Sequence, residues 1–193
     1  GISSVNITDK KGAHSIMRYV LSQGHKKIGV LGIRSGKMGK FDEYTGTLRS
    51  RIDGFSQALK EYELSLNDPH VKYFECSSTM HGGEEGFRFL FSNEPYPTCI
   101  VSMSDVIAFG VIKSANQRGL RIPDDVSVTG FDDVPYAAIS SPPLTTISQP
   151  LREKGKTAAN LLVDHICEEK EVTQKVFSTK LVIRDSVKKI ADL

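Results

Sequence analysis

Residues 126–150 read VSVTGFDDVPYAAISSPPLTTISQP. Val126, Val128 and Gly130 alternate with Ser127 and Thr129, the spacing of a short buried strand over 126–131. That strand stops on Phe131-Asp132-Asp133, two carboxylates where the backbone leaves the sheet. Past the turn Ser141-Pro142-Pro143, a second β-run, Leu144-Thr145-Thr146-Ile147, ends on Gln149-Pro150. An open α/β sheet presents its ligand-binding groups at the carboxyl ends of its strands. A carboxylate there accepts several hydrogen bonds, which suits the neighbouring hydroxyls of a sugar. Local chemistry leaves a second reading open, in which Asp132 and Asp133 cap a helix starting at Val134.

Upstream, strands alternate with helices. Apolar positions at 13, 16, 17, 20 and 21 predict a helix over 8–23, started by Thr8 or Asp9 and ended by Gly24. Ile28–Gly32 follows as a short strand, then a glycine-bearing loop over 34–47 and a helix over 50–63. The unit repeats as strand 71–76, helix 82–94, strand 98–103 and helix 105–118. This order predicts an α/β fold with a parallel sheet and helices on both faces. After Pro150 the pattern changes to a helix over 152–168 and a longer alternating strand over 175–184.

Composition bounds the rest. The 193 residues are 39% hydrophobic and 25% charged with net charge +2, the profile of a packed globular domain without a massed basic face. No run is long and apolar enough to suggest a membrane span. Cys76, Cys99 and Cys167 are odd in number and lack a CxxC, which fits reduced thiols of a cytosolic protein. His14, His25, His70, His81 and His165 show no metal spacing and read as surface residues. GxSxG, a Walker loop and GxGxxG are all missing, so neither a catalytic residue, a metal site nor a cofactor is expected.

The segment GFDDVPYAAISSPPLTTISQP closely resembles the corresponding part of the lactose/galactose-repressor family of bacterial transcription regulators. GHKKIGVLG at 24–32, RIDGF at 51–55 and SDVIAFGVIKSANQRGLRIPDDVSVTGFDD at 104–133 agree with that family in order. The resemblance implies an effector-binding domain folded like a periplasmic sugar-binding protein. It implies that residues 1–148 form the C-terminal lobe. Residues 149–193 would then be a crossover plus a helix and strand of the N-terminal lobe, with most of that lobe and a helix-turn-helix headpiece lying outside the chain. It also places Arg51, Ser104, Asp105, Asp132 and Gln149 at the ligand, with Ser104 standing where many relatives have asparagine. By residue chemistry alone Arg51 reads first as an exposed first-turn arginine, and Ser104 as a helix cap.

The helix over 105–118 carries more apolar residues than one inward stripe needs, namely Val106, Ile107, Phe109, Val111 and Ile112. With the family's habit, this predicts a homodimer with Phe109, Lys113 and Tyr136 near its axis. The leading expectation is thus an effector-sensing module of a repressor. It would bind a sugar or similar small metabolite and reach DNA only through the missing headpiece. A transport binding protein, an oxidoreductase fragment and a ligand-free dimerisation module are the competing readings. The apolar face of Leu161, Leu162, Ile166, Val176, Leu181 and Ile183 is expected to be covered by the first lobe or by a second copy.

Overall fold

A computed structural model describes residues 2–35, 44–167 and 171–190. The chain opens with β1 (Ser4–Ile7), α1 (Asp9–Ser22) and β2 (Ile28–Ile33), followed by α2 (Gly46–Glu61) and β3 (Val71–Cys76). Then come α3 (Met80–Leu90), β4 (Cys99–Ser102), α4 (Asp105–Gln117) and β5 (Ser127–Thr129). A 3-10 turn at Pro135–Ala138 leads to β6 (Thr146–Ser148), α5 (Leu151–Cys167), β7 (Gln174–Phe177) and β8 (Lys180–Val182). Most of the loop expected over 34–47 lies outside the described residues. The helix after it starts one turn earlier than its apolar spacing suggested, at Gly46.

The central sheet is parallel in the order β3-β2-β4-β5. Strand side chains alternate between its faces. Ile28 and Val30 point into a core with Ile16, Met17 and Val20 of α1 and Phe55 and Leu59 of α2. Leu31, Ile100 and Val128 point the other way, against Phe87 and Leu90 of α3 and Ile107 and Val111 of α4. Helices therefore cover both faces, as expected. Glycines set the closeness of this packing. A Cβ on Gly54 would lie 2.8 Å from the Ala13 Cβ and the His14 nitrogen, and one on Gly83 would lie 3.0 Å from the Gly110 Cα. Because β2 pairs with both β3 and β4, the chain reverses its winding beside β2. Carboxyl ends at such a switch point open a crevice.

The surplus of apolar side chains on α4 has an internal explanation that periodicity did not reveal. Ile107, Ala108, Phe109, Val111, Ile112 and Ala115 are all buried within this chain, because α3 and the sheet flank α4 on two sides. Among the set named for the surface, Val106 is the one that stays exposed.

The tail differs from expectation in two ways. The long strand over 175–184 is two strands, β7 parallel to β1 and β8 antiparallel to β6, broken where the Thr179 nitrogen donates to the Thr8 hydroxyl and the Thr179 hydroxyl to Thr8 O. Residues after Val182 then run back along the main unit. The Ser186 hydroxyl donates to Val128 O (2.6 Å) and accepts from Thr145 N (2.8 Å), and the Ile190 nitrogen donates to Gln23 O. The end of the tail thus bends back onto the main unit. Finally, of the six apolar tail residues, Leu181 packs on the core, whereas Leu162, Ile166, Val176 and Ile183 are 58–75% exposed. α5 has no buried residue, because it leans on β1 and not on the main sheet.

One histidine corrects the surface reading. His25 is wholly buried, with Nδ1 3.0 Å from Thr98 Oγ1 and Nε2 3.0 Å from Lys188 O. Burial is the main cause that holds its pKa below the usual imidazole value. Cys76 and Cys99 are buried and Cys167 exposed.

Candidate functional site

The carboxyl ends of β4 and β5 meet the start of α1 and the end of β6. Asp132 sits there in a backbone conformation that L-residues seldom adopt, φ 131°, followed by Asp133 at φ 57°. Asparagine and aspartate tolerate positive φ better than most residues, yet the first value still carries strain of about 1–3 kcal/mol. Neighbours hold the turn in place. The Asp132 nitrogen donates to Ile147 O (2.8 Å), and the Val134 nitrogen donates to Asp105 Oδ2 (2.9 Å). Arg184, from the returning tail, donates to Asp133 Oδ1 (2.7 Å) and to Leu144 O (2.8 Å). No helix is capped by the two aspartates, since Val134 precedes a single 3-10 turn without a side-chain cap. That disposes of the capping alternative.

Asp132 is half-buried and its Oδ1 receives the amide of Gln149, the residue just past β6. Burial raises the Asp132 pKa to about 6. The nearby Arg51 charge and the Gln149 hydrogen bond oppose that rise, while Asp105 and Asp9 reinforce it.

Arg51 projects from α2 and is buried, with its side chain only 7% exposed. Its Nε donates to Asp9 Oδ1 (2.9 Å) and its Nη1 to Met103 O (2.5 Å). The guanidinium plane lies 3.7 Å from the Phe131 ring centroid. The surface-arginine alternative is thereby removed. A planar fork held at two nitrogens and one face has a fixed orientation.

Two of the five residues expected at the ligand also have structural partners. Asp105 is fully buried, with Oδ1 accepting from the Thr146 hydroxyl (2.6 Å) and Oδ2 from Val134 N. Its carboxyl, raised above the ordinary range by burial, braces the turn that carries Asp132. Ser104 caps α4, its hydroxyl accepting from Ile107 N at 3.3 Å, and lies 3.4 Å from the Ser78 hydroxyl. The structure thus brings Arg51, Asp132 and Gln149 together, keeps Ser104 at their edge and places Asp105 behind them.

The sequence reading missed Asp9 as a partner of Arg51. It also missed a buried group at the ends of β2 and β3, where the Tyr44 hydroxyl lies 2.6 Å from both the Tyr73 hydroxyl and Glu75 Oε1. One proton order satisfies the chain: Tyr73 donates to Tyr44, which donates to Glu75. Burial is the leading cause that raises both phenols far above their usual range. Tyr73 also explains Gly32, whose missing side chain leaves room for that ring. Tyr44 and Tyr73 supply aromatic bulk near β3 that the Cys76-Ser77-Ser78 sequence does not advertise.

Phe109, Lys113 and Tyr136 are neighbours. Phe109 meets Tyr136 edge-to-face with centroids 4.9 Å apart, and Lys113 pairs with Glu84 of the same chain (2.7 Å). Together with Met80, Ile112 and Ser140 they line a surface groove of about 450 Å³.

Residues 17–187 match the model of the periplasmic binding protein-like domain family. The chain is 36% identical over 185 residues to the HTH-type transcriptional repressor PurR of Vibrio vulnificus, covering 94% of this chain and 52% of that protein. It thus spans about half the length of that curated relative. A LacI family transcriptional regulator from Enterococcus faecium, solved with bound ribose, superposes with TM-score 0.86 at 27% identity, over 98% of this chain and 66% of the other. A sugar-binding LacI family regulator from Escherichia coli, complexed with phosphate, gives TM-score 0.78 at 26% identity, over 97% and 64%. The chain belongs to the periplasmic-binding-protein-like domain family, in the form shared with LacI-family transcriptional regulators.

Proposed function

We propose that this chain is the effector-sensing part of a DNA-binding transcriptional repressor. In this reading Arg51, Asp132 and Gln149 contact a sugar or similar small polar molecule, with Ser104 at the rim. The observation that carries it is Asp132: a carboxylate on a strained turn, beside an oriented buried arginine, at the carboxyl edge of a parallel sheet. The ribose-bound relative favours a sugar. The repressor relative favours an output on DNA, delivered by a region beyond this chain and located in the cytoplasm.

Residues 8–148 together with the strap 180–190 make one lobe, and β1, α5 and β7 begin the other. The exposed apolar face of α5 and β7 supports this division, because it is the surface that a second sheet would cover. Ligand held between two lobes favours one relative orientation and so biases the attached DNA-binding regions. The Phe109–Tyr136 groove is the dimer contact in this reading.

Calorimetric titration of the protein with neutral mono- and disaccharides tests the function. Saturable binding by at least one of them, lost in Asp132→Ala, is the expected result. If no member binds, or if the variant binds as well as the parent, the reading fails.

A further inference from the structure

Arg51 is the only buried cation at the cleft edge among the described residues, and its charge is already matched. Asp9, with its side chain 8% exposed, meets Nε directly at the first turn of α1. The Asp132 carboxylate is near enough that both Arg51 and Asp9 bear on its titration. One guanidinium thus faces the charge of more than one carboxylate, with Asp105 buried nearby. Lys10 and Lys11 follow Asp9 in sequence, but both are exposed, where solvent and salt screen them.

A purely structural role for Asp9 would be to hold α1 against α2. That contact is already supplied by Ala13, Ile16, Met17 and Val20 against Ile52, Phe55, Ala58 and Leu59, with Gly54 allowing close approach. Burying an ion pair is an expensive way to add to apolar packing, since both partners lose their water. The position of the pair, at the ligand edge and not midway along the helices, needs another explanation. A lone buried arginine facing a cleft is a strong phosphate and carboxylate receptor. Pairing it with Asp9 cancels that tendency while leaving the guanidinium a donor for a hydroxyl oxygen.

We propose that Asp9 determines effector class: by pairing Arg51 from α1 it makes the site accept uncharged, hydroxyl-rich molecules and reject those bearing phosphate or carboxylate. The proposal rests on the reading of Arg51 and Asp132 as effector groups and narrows it to one charge class. It matters because one regulator of this fold was solved with ribose and another with phosphate.

Two titrations test it, both on the protein in its two-lobed form. The first compares neutral sugars with their own phosphate esters on the unaltered protein, and each ester should bind at least about tenfold more weakly than its parent. An ester that binds as tightly as its parent overturns the proposal. The second uses inorganic phosphate alone on the unaltered protein, on Asp9→Asn and on Asp9→Asn/Arg51→Gln. Asp9→Asn keeps an acceptor oxygen for Nε and removes only the charge. It should tighten phosphate binding by about tenfold or more, and the double variant should lose that gain. Equal phosphate affinity in the unaltered protein and Asp9→Asn overturns the proposal. Should Asp9→Asn fail to fold, the ester comparison decides. If no sugar and no ester binds but the phosphate gain appears, the charge assignment stands and the sugar reading falls.

Discussion

The Gln149 side-chain amide donates to Asp132 Oδ1, so the segment leaving β6 is tied to the turn leaving β5. One acceptor position of the carboxylate is held by a crossover residue, and the remaining lone pairs face outward. A ligand that brings two hydroxyl donors has to share Asp132 with Gln149 or displace it. Replacing Asp132 with alanine should weaken effector binding by about 1.5–3 kcal/mol, the range for hydrogen bonds to a charged group. The fold should survive with a modest loss of thermal midpoint, because alanine tolerates this positive φ less well than aspartate and the Gln149 amide loses its acceptor. Calorimetry with a binding sugar checks the first part; unchanged affinity would remove Asp132 from the site.

Binding should also depend on pH. Asp132 titrates near 6 in the folded protein against an ordinary 3.8, so the folded form holds this proton more tightly. The sign follows: this group favours the fold as pH falls from about 6 toward 4, and imposes a constant cost above 6. Affinity runs the opposite way, since protonation turns part of the acceptor into a donor. Effector affinity should therefore fall between pH 7.5 and pH 5, and Asp132→Asn should flatten that slope. A slope of the same size in the variant would assign the dependence to another group.

Gly54 and Gly155 should respond oppositely to alanine. A Cβ at Gly54 meets the Lys10 carbonyl and lies 2.8 Å from Ala13, both on a fixed helix, so Gly54→Ala should cost about 1–3 kcal/mol. Nothing lies within 4 Å of a Cβ at Gly155, so Gly155→Ala should stabilise α5 by about 0.5–1 kcal/mol. Thermal unfolding reads the first and amide exchange within α5 reads the second.

Self-association has a single-residue test. Tyr136 is 56% exposed and lies over Phe109 at the groove. Tyr136→Arg should leave the fold intact and weaken the dimer by at least about tenfold. Sedimentation across a concentration series checks it, and a dimer of unchanged strength would place the contact elsewhere.

How much of this was legible in advance depended on the range of the interaction. The β–α alternation and the acidic turn at Asp132 announce themselves within a few residues, and their structural counterparts follow closely. Asp9 was hidden because an acidic residue in a helix's first turn already has a local reason to be there. Its guanidinium partner is 42 positions away. The bracing role of Asp105 was hidden in the same way, since Thr146 lies 41 positions and Val134 29 positions along the chain. The tail misled most, since alternation over 175–184 does not reveal that Thr8 interrupts the run at Thr179.

The returning strap has a consequence for biosynthesis. Ser186 joins Val128 to Thr145, and Arg184 neutralises Asp133, so the acidic turn is completed by residues made some fifty positions later. A chain emerging from the ribosome forms α1 with α2 and α3 with α4 from near neighbours, but it cannot finish the Asp132–Asp133 turn until Arg184 and Ser186 are free. A nascent or prematurely terminated copy would therefore carry a nearly full sheet and an unbraced Asp132–Asp133 turn. Such a copy would keep its helix pairs and most of its sheet while the backbone around Asp132 lacked the two side chains that hold it.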